Sequence, residues 1–548
     1  MSGTPNADDL GEVQSDTLPP LPPSWCWAEL SEIAEIEGGI TKGQNRLAGS
    51  TTREIPYLRV ANVQRGFLDL NEMKTIPADE QIICDLQLQV GDVLFTEGGD
   101  RDKLGRGWVW NGELSECIHQ NHIFRARPNT SVILPKFVSH HGNLFGQDWF
   151  SRNGKQTTNL ASINKRVLRR FPVPVPPLAE QERILARLDE LLSDLDAGVS
   201  ALQRARANLK KYRAAVLKAA VTGELTTDWR AAHPNAEPAT KLLDRILTER
   251  RRKWEADQLA KFAANGKTPP KGWQEKYPKP VEPKTDSLQI LPQGWCWATI
   301  EQLTELVTKG TSPSWQGYDY TTNGVPFLRS QNVRWGELDL NELAYLPEKF
   351  NQTHPLSIIR TGDVLLNLVG ASVGRAALAS ESLNGANLNQ AVAIIRLFKD
   401  SMIPRLLVQI LLSPLLQLHI SATKVDVARA NFNLDDVRPT PIPLPPKDEQ
   451  GVLCSEVEYQ LSLIVATENY IAASLKRATR LRQSILKEAF AGRLVPQDPK
   501  DEPASVLLER IRQSRTASTA GARPNRPTRP RRKQETHSAD SEDADGTA

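Results

Sequence analysis

The sequence predicts a mixed α/β chain built twice over: two globular domains, each followed by a long helix, with the two helices packed on each other. Three observations predict it. A proline-spaced lead-in, Pro172-Val173-Pro174-Val175-Pro176-Pro177, runs into Leu178-Ala179-Glu180-Gln181 and then into a helical heptad. The same construction returns at Pro441-Ile442-Pro443-Leu444-Pro445-Pro446 and Lys447-Asp448-Glu449-Gln450. Matched segments upstream of the two lead-ins hold a nearly constant offset of 270 or 271 positions, and the lead-ins and helices match at 269.

Each lead-in is extended, because proline fixes its own φ and biases its predecessor away from helix. A carboxylate and an amide at Glu180-Gln181 suit the first turn of the helix that follows. Beyond them apolar or small residues fall at Ile184, Leu188, Leu191, Leu195, Gly198, Leu202, Ala205, Leu209, Tyr212, Val216 and Ala219, with gaps alternating four and three. That is the seam of a helix packed lengthwise on another, and Gly223 marks its stop. The second helix carries Leu453, Val457, Ile464, Ile471, Ala478, Leu481 and Ile485, has Gln460, Thr467 and Ser474 at intervening steps, and stops near Gly492. Each helix has one apolar stripe to bury, so each is the other's expected partner.

The duplication reaches into the domains. Trp295-Cys296-Trp297-Ala298 repeats Trp25-Cys26-Trp27-Ala28, Pro326-Phe327-Leu328-Arg329 repeats Pro56-Tyr57-Leu58-Arg59, and Leu338-Asp339-Leu340-Asn341-Glu342 repeats Leu68-Asp69-Leu70-Asn71-Glu72, all at 270. Gly362-Asp363-Val364-Leu365 repeats Gly91-Asp92-Val93-Leu94 at 271. One offset held this steadily is an internal repeat.

In chain order the expected divisions are a disordered leader over 1–20, a first globular domain over 21–171, lead-in and long helix over 172–225, and a linker with a short helix over 226–290. A second globular domain over 291–440, lead-in and helix over 441–494, a short helix over 495–514 and a disordered tail over 515–548 complete the chain. In the first domain, Ile55–Val60, Asp92–Phe95 and Trp108–Trp110 read as short buried strands, and Pro135 to about Trp149 as a helix. Ala239 to Trp254 is amphipathic, and the Lys/Pro-rich stretch after it, without periodicity, reads as flexible. Pro503 to Ile511 echoes Pro238 to Ile246, so the small helix is duplicated too. The Arg/Pro-rich tail has nothing with which to build a core.

The composition excludes several classes of function. At 548 residues the chain holds three or four domains of ~150 residues, and a net charge of +3 argues for no particular partner. Its five cysteines form no Cys-x-x-Cys pair and no secretory signal opens the sequence, which reads as reduced, cytoplasmic and free of metal. The most apolar run, Leu406 to Ile420, is broken by Gln409, Pro414 and Gln417 and is too short to span a bilayer, so no membrane is expected. Ala264-Asn265-Gly266-Lys267-Thr268 is not a phosphate-binding loop, since Lys261 stands where the first glycine belongs. His119/His122 and His140/His141 lack partners at metal-ligand spacing. No Asn/Asp-Pro-Pro-aromatic loop and no cluster of metal-binding carboxylates is present, as a methyltransferase or nuclease acting alone would require. No catalytic residue is expected.

One frame carries two different polar loops. Between Phe95 and Trp108 the first half has Thr96-Glu97-Gly98-Gly99-Asp100-Arg101-Asp102-Lys103-Leu104-Gly105-Arg106-Gly107, where the second has Leu366-Asn367-Leu368-Val369-Gly370-Ala371-Ser372-Val373-Gly374-Arg375. Before the lead-ins stand Lys155, Thr157 and Asn159 in one half and Lys424 and Arg429 in the other. A charged loop alone is ordinarily a solvated surface, but glycine-rich backbone carrying Arg101, Lys103 and Arg106 can approach phosphates and base edges. Gln120 and Asn121, like Asn389 and Gln390, are residue types that read adenine bidentately. With Arg59 and Asn62, Arg329 and Asn332, Asn367 and Arg375, these are the candidate DNA contacts.

Two diverged domains, each followed by a PxPxPPxxEQ lead-in and a long heptad helix, resemble the specificity (S) subunits of Type I restriction–modification systems. The residues that carry the resemblance are Pro172 to Gln181, Pro441 to Gln450, the "LPxxWxW" starts at Trp25 and Trp295, and the pairs Asn159-Leu160 and Asn433-Leu434. It covers about residues 20 to 512. It implies that each globular part is a target-recognition domain binding one half of a bipartite site in double-stranded DNA. It implies that the helices form an antiparallel coiled coil fixing the gap, through Ile184, Leu188, Leu191, Leu195, Leu202, Leu209 and Val216 on one side and Leu453, Val457, Ile464, Ile471, Leu481 and Ile485 on the other. It further implies two modification (methyltransferase) subunits docked beside the helices, with restriction/translocase subunits joining through them. S-adenosylmethionine, ATP and Mg then belong to those partners, and this chain has no cofactor of its own. The alternative readings are a stand-alone DNA methyltransferase or nuclease, whose motifs are missing, and a coiled-coil adaptor without a DNA role, which leaves the two diverged polar loops without a purpose.

Overall fold

The computed structural model describes residues 18–41, 51–99, 103–156, 161–286, 288–425 and 432–521. Most of the expected leader and the end of the expected tail lie outside these residues. Six helices organise the fold: α1 (Pro135–Asn153), α2 (Leu178–Thr222), α3 (Ala239–Ala264), α4 (Pro404–Leu411), α5 (Lys447–Phe490) and α6 (Ala504–Gly521). The chain divides into two compact units: unit 1 is residues 1–199 with 476–548, and unit 2 is residues 200–475. By these bounds each unit holds one globular domain, the start of one long helix and the end of the other.

In unit 1 the strand expected at Ile55–Val60 is Thr52–Leu58, paired antiparallel with Lys74–Asp79 and parallel with Ile118–His119. Val93–Thr96 lies at the edge of an antiparallel sheet centred on Ile123–Pro128, with Ala34–Gly38 on its other side. Trp108–Trp110 is not a strand. Only Val109 forms a bridge, to Val93, while Trp110 meets Asp92 through one backbone bond of 2.8 Å and buries its ring in the core. Helix α1 opens on Pro135, whose missing N–H costs nothing in a first turn. It buries Phe137, Val138, His141 and Phe150, and its Gly142 leaves room for Phe95.

Unit 2 repeats the plan. Thr304–Lys309, Val392–Leu397, Val364–Asn367 and Ala376–Leu378 form an antiparallel sheet, and Ala344–Leu346, Val325–Leu328 and Asn387–Leu388 a mixed one. The apolar run at Leu406 is the core helix α4, buried nearly all round. Among the described residues no single helix is long and apolar enough to cross a membrane. The Lys/Pro-rich stretch expected to be flexible folds back along α3. The ring of Trp273 stacks on Trp254 at 5.8 Å, Tyr277 packs edge-on to Trp254, and Val281 exchanges hydrogen bonds with Glu301 and Thr299. Helix α3 runs ten residues past Trp254, and the aromatic residues spaced along this stretch supply the contacts that its composition concealed.

In both units the two proline lead-ins are strands. Pro172–Val175 pairs with Cys26–Glu29, and Pro441–Leu444 with Cys296–Thr299, in the same antiparallel register. Two-stranded sheets leave one free edge, which is where alternate prolines are tolerated. The glutamate and glutamine after them do not cap their helices. Both pairs are buried, and they tie distant segments together. Glu180 accepts the indole N–H of Trp25 at 3.0 Å, and Glu449 that of Trp295 at 2.9 Å. Gln181 bonds Leu134 N and Val132 O at the entry of α1, and Gln450 bonds Ile403 N and Ser401 O at the entry of α4.

The far ends of the helices close the same joints. Gly492 has φ 68° and lies where a Cβ would be 2.3 Å from Pro22, while Gly223 has φ 72° and lies where a Cβ would be 2.6 Å from Pro292. Only glycine satisfies both conditions. The small helices α6 and α3 dock alike: Ala504 N–H reaches Ser24 O at 3.0 Å and Ala239 N–H reaches Gly294 O at 2.7 Å.

Within unit 1 the start of α2 packs beside the end of α5, where Ile184, Leu185, Leu188 and Leu192 join Ile485, Leu486 and Ala489. Asp196 pairs there with Arg482. Within unit 2 the end of α2 packs beside the start of α5, where Leu209, Val216, Leu217 and Val221 join Leu453, Val457, Leu461 and Ile464. Tyr212 bonds Gln460 at 2.8 Å, and Arg213 pairs with Glu468 at 3.4 Å. The pairing is antiparallel in both. Ile471 is buried, and Leu191, Leu195 and Leu202 are half-buried. Leu481 does not join the seam: it is 52 % exposed. From Ile471 the buried and half-buried positions run through Leu475, Ala478, Arg482 and Ile485, which leaves Leu481 one position, about 100° of helix, off the seam.

Candidate nucleic-acid interface

The matched segments of the two domains hold structure rather than present it. Asp92 and Asp363, from the repeated Gly-Asp-Val-Leu, are buried and grip Arg127 and Arg396 bidentately, with N···O distances of 2.7–2.9 Å. Such a pair fixes the strand that carries each loop to its neighbour in the sheet.

Asn62 and Asn332 are corrections to the candidate contacts. Each is buried, accepts the backbone N–H of Arg59 or Arg329 at 2.9 Å, and donates to Asp69 O or Asp339 O. Neither amide is presented to a base edge. Arg59 and Arg329 reach back to the carbonyls of Glu72 and Glu342 at 3.1 and 3.2 Å. Asn367 is a further correction. It ends its strand wholly buried, donating to Ser330 O at 2.8 Å, so the exposed part of that loop is shorter than expected. Residues 369–371 are its outermost part, and Val373 turns back into the core.

Arg101, Thr157, Asn159 and Arg429 lie outside the described residues, as does the side chain of Lys424. The rest of the first domain's loop is built on Thr96, whose buried hydroxyl donates to Lys103 O at 2.6 Å, while Gly105 N–H returns to Thr96 O at 3.1 Å. Arg106 donates to Val60 O at 3.0 Å, and Arg375 is half-buried at the matching place.

The structure unites two segments that are far apart in sequence. Gly98–Gly99 pairs with Ala161–Ser162, which pairs with Lys155–Gln156, in one small sheet. His122 holds Glu97 at the root at 2.5 Å. Gln120 and Asn121 are half-buried on the adjoining turn, and their side chains have no hydrogen-bond partner among the described residues. In unit 2 Asn389 caps its own turn through Ala391 N, and Gln390 is exposed.

Burial tunes the titrating groups of unit 1. His119, His140 and His141 are each pushed down to about 4, and Cys117 up to about 12, by loss of solvent. Burial also raises the Glu180 carboxyl. All five cysteines are free thiols, and among the described residues no three His, Cys, Asp or Glu side chains are placed to hold a metal ion.

Sequence reasoning missed a second stripe on α5. Val452, Tyr459, Leu463 and Tyr470 are exposed, with the two tyrosines 62 % and 65 % accessible. Their spacing of seven, four and seven sets them on one outer face, a signal hidden because a single seam seemed to account for the helix.

Residues 22–202 match the Type I restriction modification DNA specificity domain. The chain is 28% identical to the EcoBI specificity subunit of Escherichia coli, over 94% of its own length and 98% of that protein's. A structure described as that of complex assembly and conformational transition of the type I R-M system superposes with a TM-score of 0.60 at 19% identity, covering 87% of this chain and all of that one. The HsdS subunit from Thermoanaerobacter tengcongensis does so at 0.50 and 20%, covering 86% and 98%. Residues 22–202 thus match a Type I specificity domain, the chain is similar in sequence over nearly its whole length to Type I restriction–modification specificity subunits, and it shares the fold of an HsdS subunit.

Proposed function

We propose that each globular domain reads one half of an asymmetric bipartite site in double-stranded DNA, and that α2 and α5 set the length of the spacer between the halves. The observation that carries this reading is one rigid frame, locked identically by Asp92–Arg127 and Asp363–Arg396, beside two different loops. A duplicated frame suits two similar half-sites, and diverged loops make them different in sequence.

The exposed stripe on α5 supports the docking of methyltransferase subunits against the helices, because a helix with two apolar faces has a second partner to cover it. In this reading two such subunits bind, restriction/translocase subunits join through them, and the catalysis, with S-adenosylmethionine, ATP and Mg, is theirs. The chain works in the cytoplasm, beside the chromosome. The spacer assignment is tested by inserting four residues at the same level of both helices, which lengthens each by ~6 Å while nearly keeping its phase. The methylated motif then keeps both halves and gains a longer gap; an unchanged gap overturns the assignment.

A further inference from the structure

Two hairpins of one design stand beside the diverged loops. In unit 1 Val63 pairs with Leu68 and Gln64 with Phe67 about the turn Arg65-Gly66; in unit 2 Val333 pairs with Leu338 about Trp335-Gly336. The glycines have φ of 86° and 87°, the left-handed backbone such a turn demands. The buried Asn62 and Asn332 nail the roots. Each tip glycine also donates to the segment leaving the diverged loop: Gly66 N–H to Gly107 O at 3.2 Å, and Gly336 N–H to Ala376 O at 3.0 Å.

The frame recurs while the tip does not. Asn62, Val63, Gly66, Leu68 and Asp69 return as Asn332, Val333, Gly336, Leu338 and Asp339. Around the glycine, Arg65 and Phe67 are replaced by Trp335 and Glu337. Yet each tip keeps one exposed aromatic ring and one arginine: Phe67, 56 % exposed, with Arg65, and Trp335, 54 % exposed, with Arg334. Same frame and altered tip is the pattern of the loops proposed to read DNA.

We propose that the hairpin tips are a second DNA contact of each domain, with Phe67 and Trp335 pressing their rings against bases at the edge of the half-site read by the neighbouring loop. This rests on the DNA-reading role proposed above. An exposed ring wedged at a base step of the duplex unstacks it at a cost of a few kcal/mol and can then stack on any base, since each has a π-face. The arginines have partners of their own, Arg65 the carbonyl of Asn143 at 2.5 Å and Arg334 the carboxylate of Asp339 at 3.2 Å, and they bring positive charge to the tip near the phosphates that flank such a step. The surroundings do not suit an apolar protein surface. Arg334 shares a cleft of about 270 Å³ with Gln331, Asn332, Asp339, Asn341 and Glu342, all of them polar.

The test uses the full chain with its modification subunits. A motif is first enriched from a random duplex library by the wild-type complex, then synthesised with 2-aminopurine at successive positions of each half-site. Trp335→Ala is expected to weaken binding about tenfold and to remove the 2-aminopurine signal at the edge of one half-site only. Phe67→Ala does the same at the other. Trp335→Phe and Phe67→Trp retain both properties, and the salt dependence stays unchanged because the rings are neutral. Alanine variants that bind within about twofold of wild type, with unaltered 2-aminopurine signals, overturn the proposal while leaving the DNA-reading role standing. A wild-type complex that enriches no sequence overturns both.

Discussion

The indole N–H of Trp25 donates to the Glu180 carboxylate at 3.0 Å inside a joint where both side chains are buried, and Trp295 and Glu449 repeat the contact at 2.9 Å. A glutamate at the base of each long helix thus holds the first ordered tryptophan of the domain from which that helix departs. The second joint holds more. Glu449 also accepts from Thr226 and Arg230, both at 2.6 Å, and the Arg230 guanidinium lies over the Trp295 ring.

The two joints therefore respond differently to the same substitution. Glu180→Ala leaves a buried indole unpaired and costs about 1–3 kcal/mol. Glu449→Ala leaves Arg230 without its counter-charge as well and costs more, about 3–5 kcal/mol. Thermal unfolding of the two variants checks the order, and equal losses contradict it.

How much of this was legible in the sequence depends on what each residue was competing with. The duplication, the lead-ins and both seams could be read because periodicity and a constant offset survive in the order of residues alone. The roles of Glu180 and Gln181 could not, since a carboxylate and an amide at a helix start have a sufficient local explanation. Asn62 and Asn332 read as DNA contacts for the same reason. Their side chains answer backbone groups up to ten residues away, and residue type alone does not separate an amide that closes a turn from one that reads a base. Trp273 and Tyr277 hid in a Lys/Pro-rich stretch because their partners are spread over α3 and the linker itself.

The buried ion pair behind each loop gives a local prediction. Asp92→Asn strands Arg127, at about 3–5 kcal/mol, and loosens Val93–Thr96 in unit 1 while sparing unit 2. Asp363→Asn does the reverse. Hydrogen exchange followed by mass spectrometry on the intact chain resolves the two, and loss of protection spread evenly over both units contradicts the assignment.

The seam predicts a contrast along one helix. Ile464→Asp buries an unpaired charge in the α2–α5 interface and destabilises the pairing by several kcal/mol. Leu481→Asp, on the outer face, stays within about 0.5 kcal/mol. Circular-dichroism melts of the two variants should differ widely.

Acid should act on the units unequally. His119, His140 and His141, all in unit 1, have folded values near 4 against an ordinary 6.5. The unfolded chain takes up protons as pH falls through about 6.5, whereas the native state does so only near 4. The stability they contribute is therefore complete above 6.5 and is lost between there and 4, at roughly 1–2 kcal/mol for each histidine by pH 5. In unit 2 His419 is also lowered by burial, and Gln409 and Ile410 stand where unit 1 has its histidine pair. Hydrogen exchange at pH 7.5 and pH 5 should show unit 1 opening first.

In the proposed function one domain reads one half-site. It is tested most directly by replacing residues 291–440 with the corresponding domain of a relative and mapping methylated positions in a host genome by single-molecule sequencing. The expected motif is one in which one half changes while the other half and the gap stay as they were. A motif changed in both halves, or in neither, contradicts it.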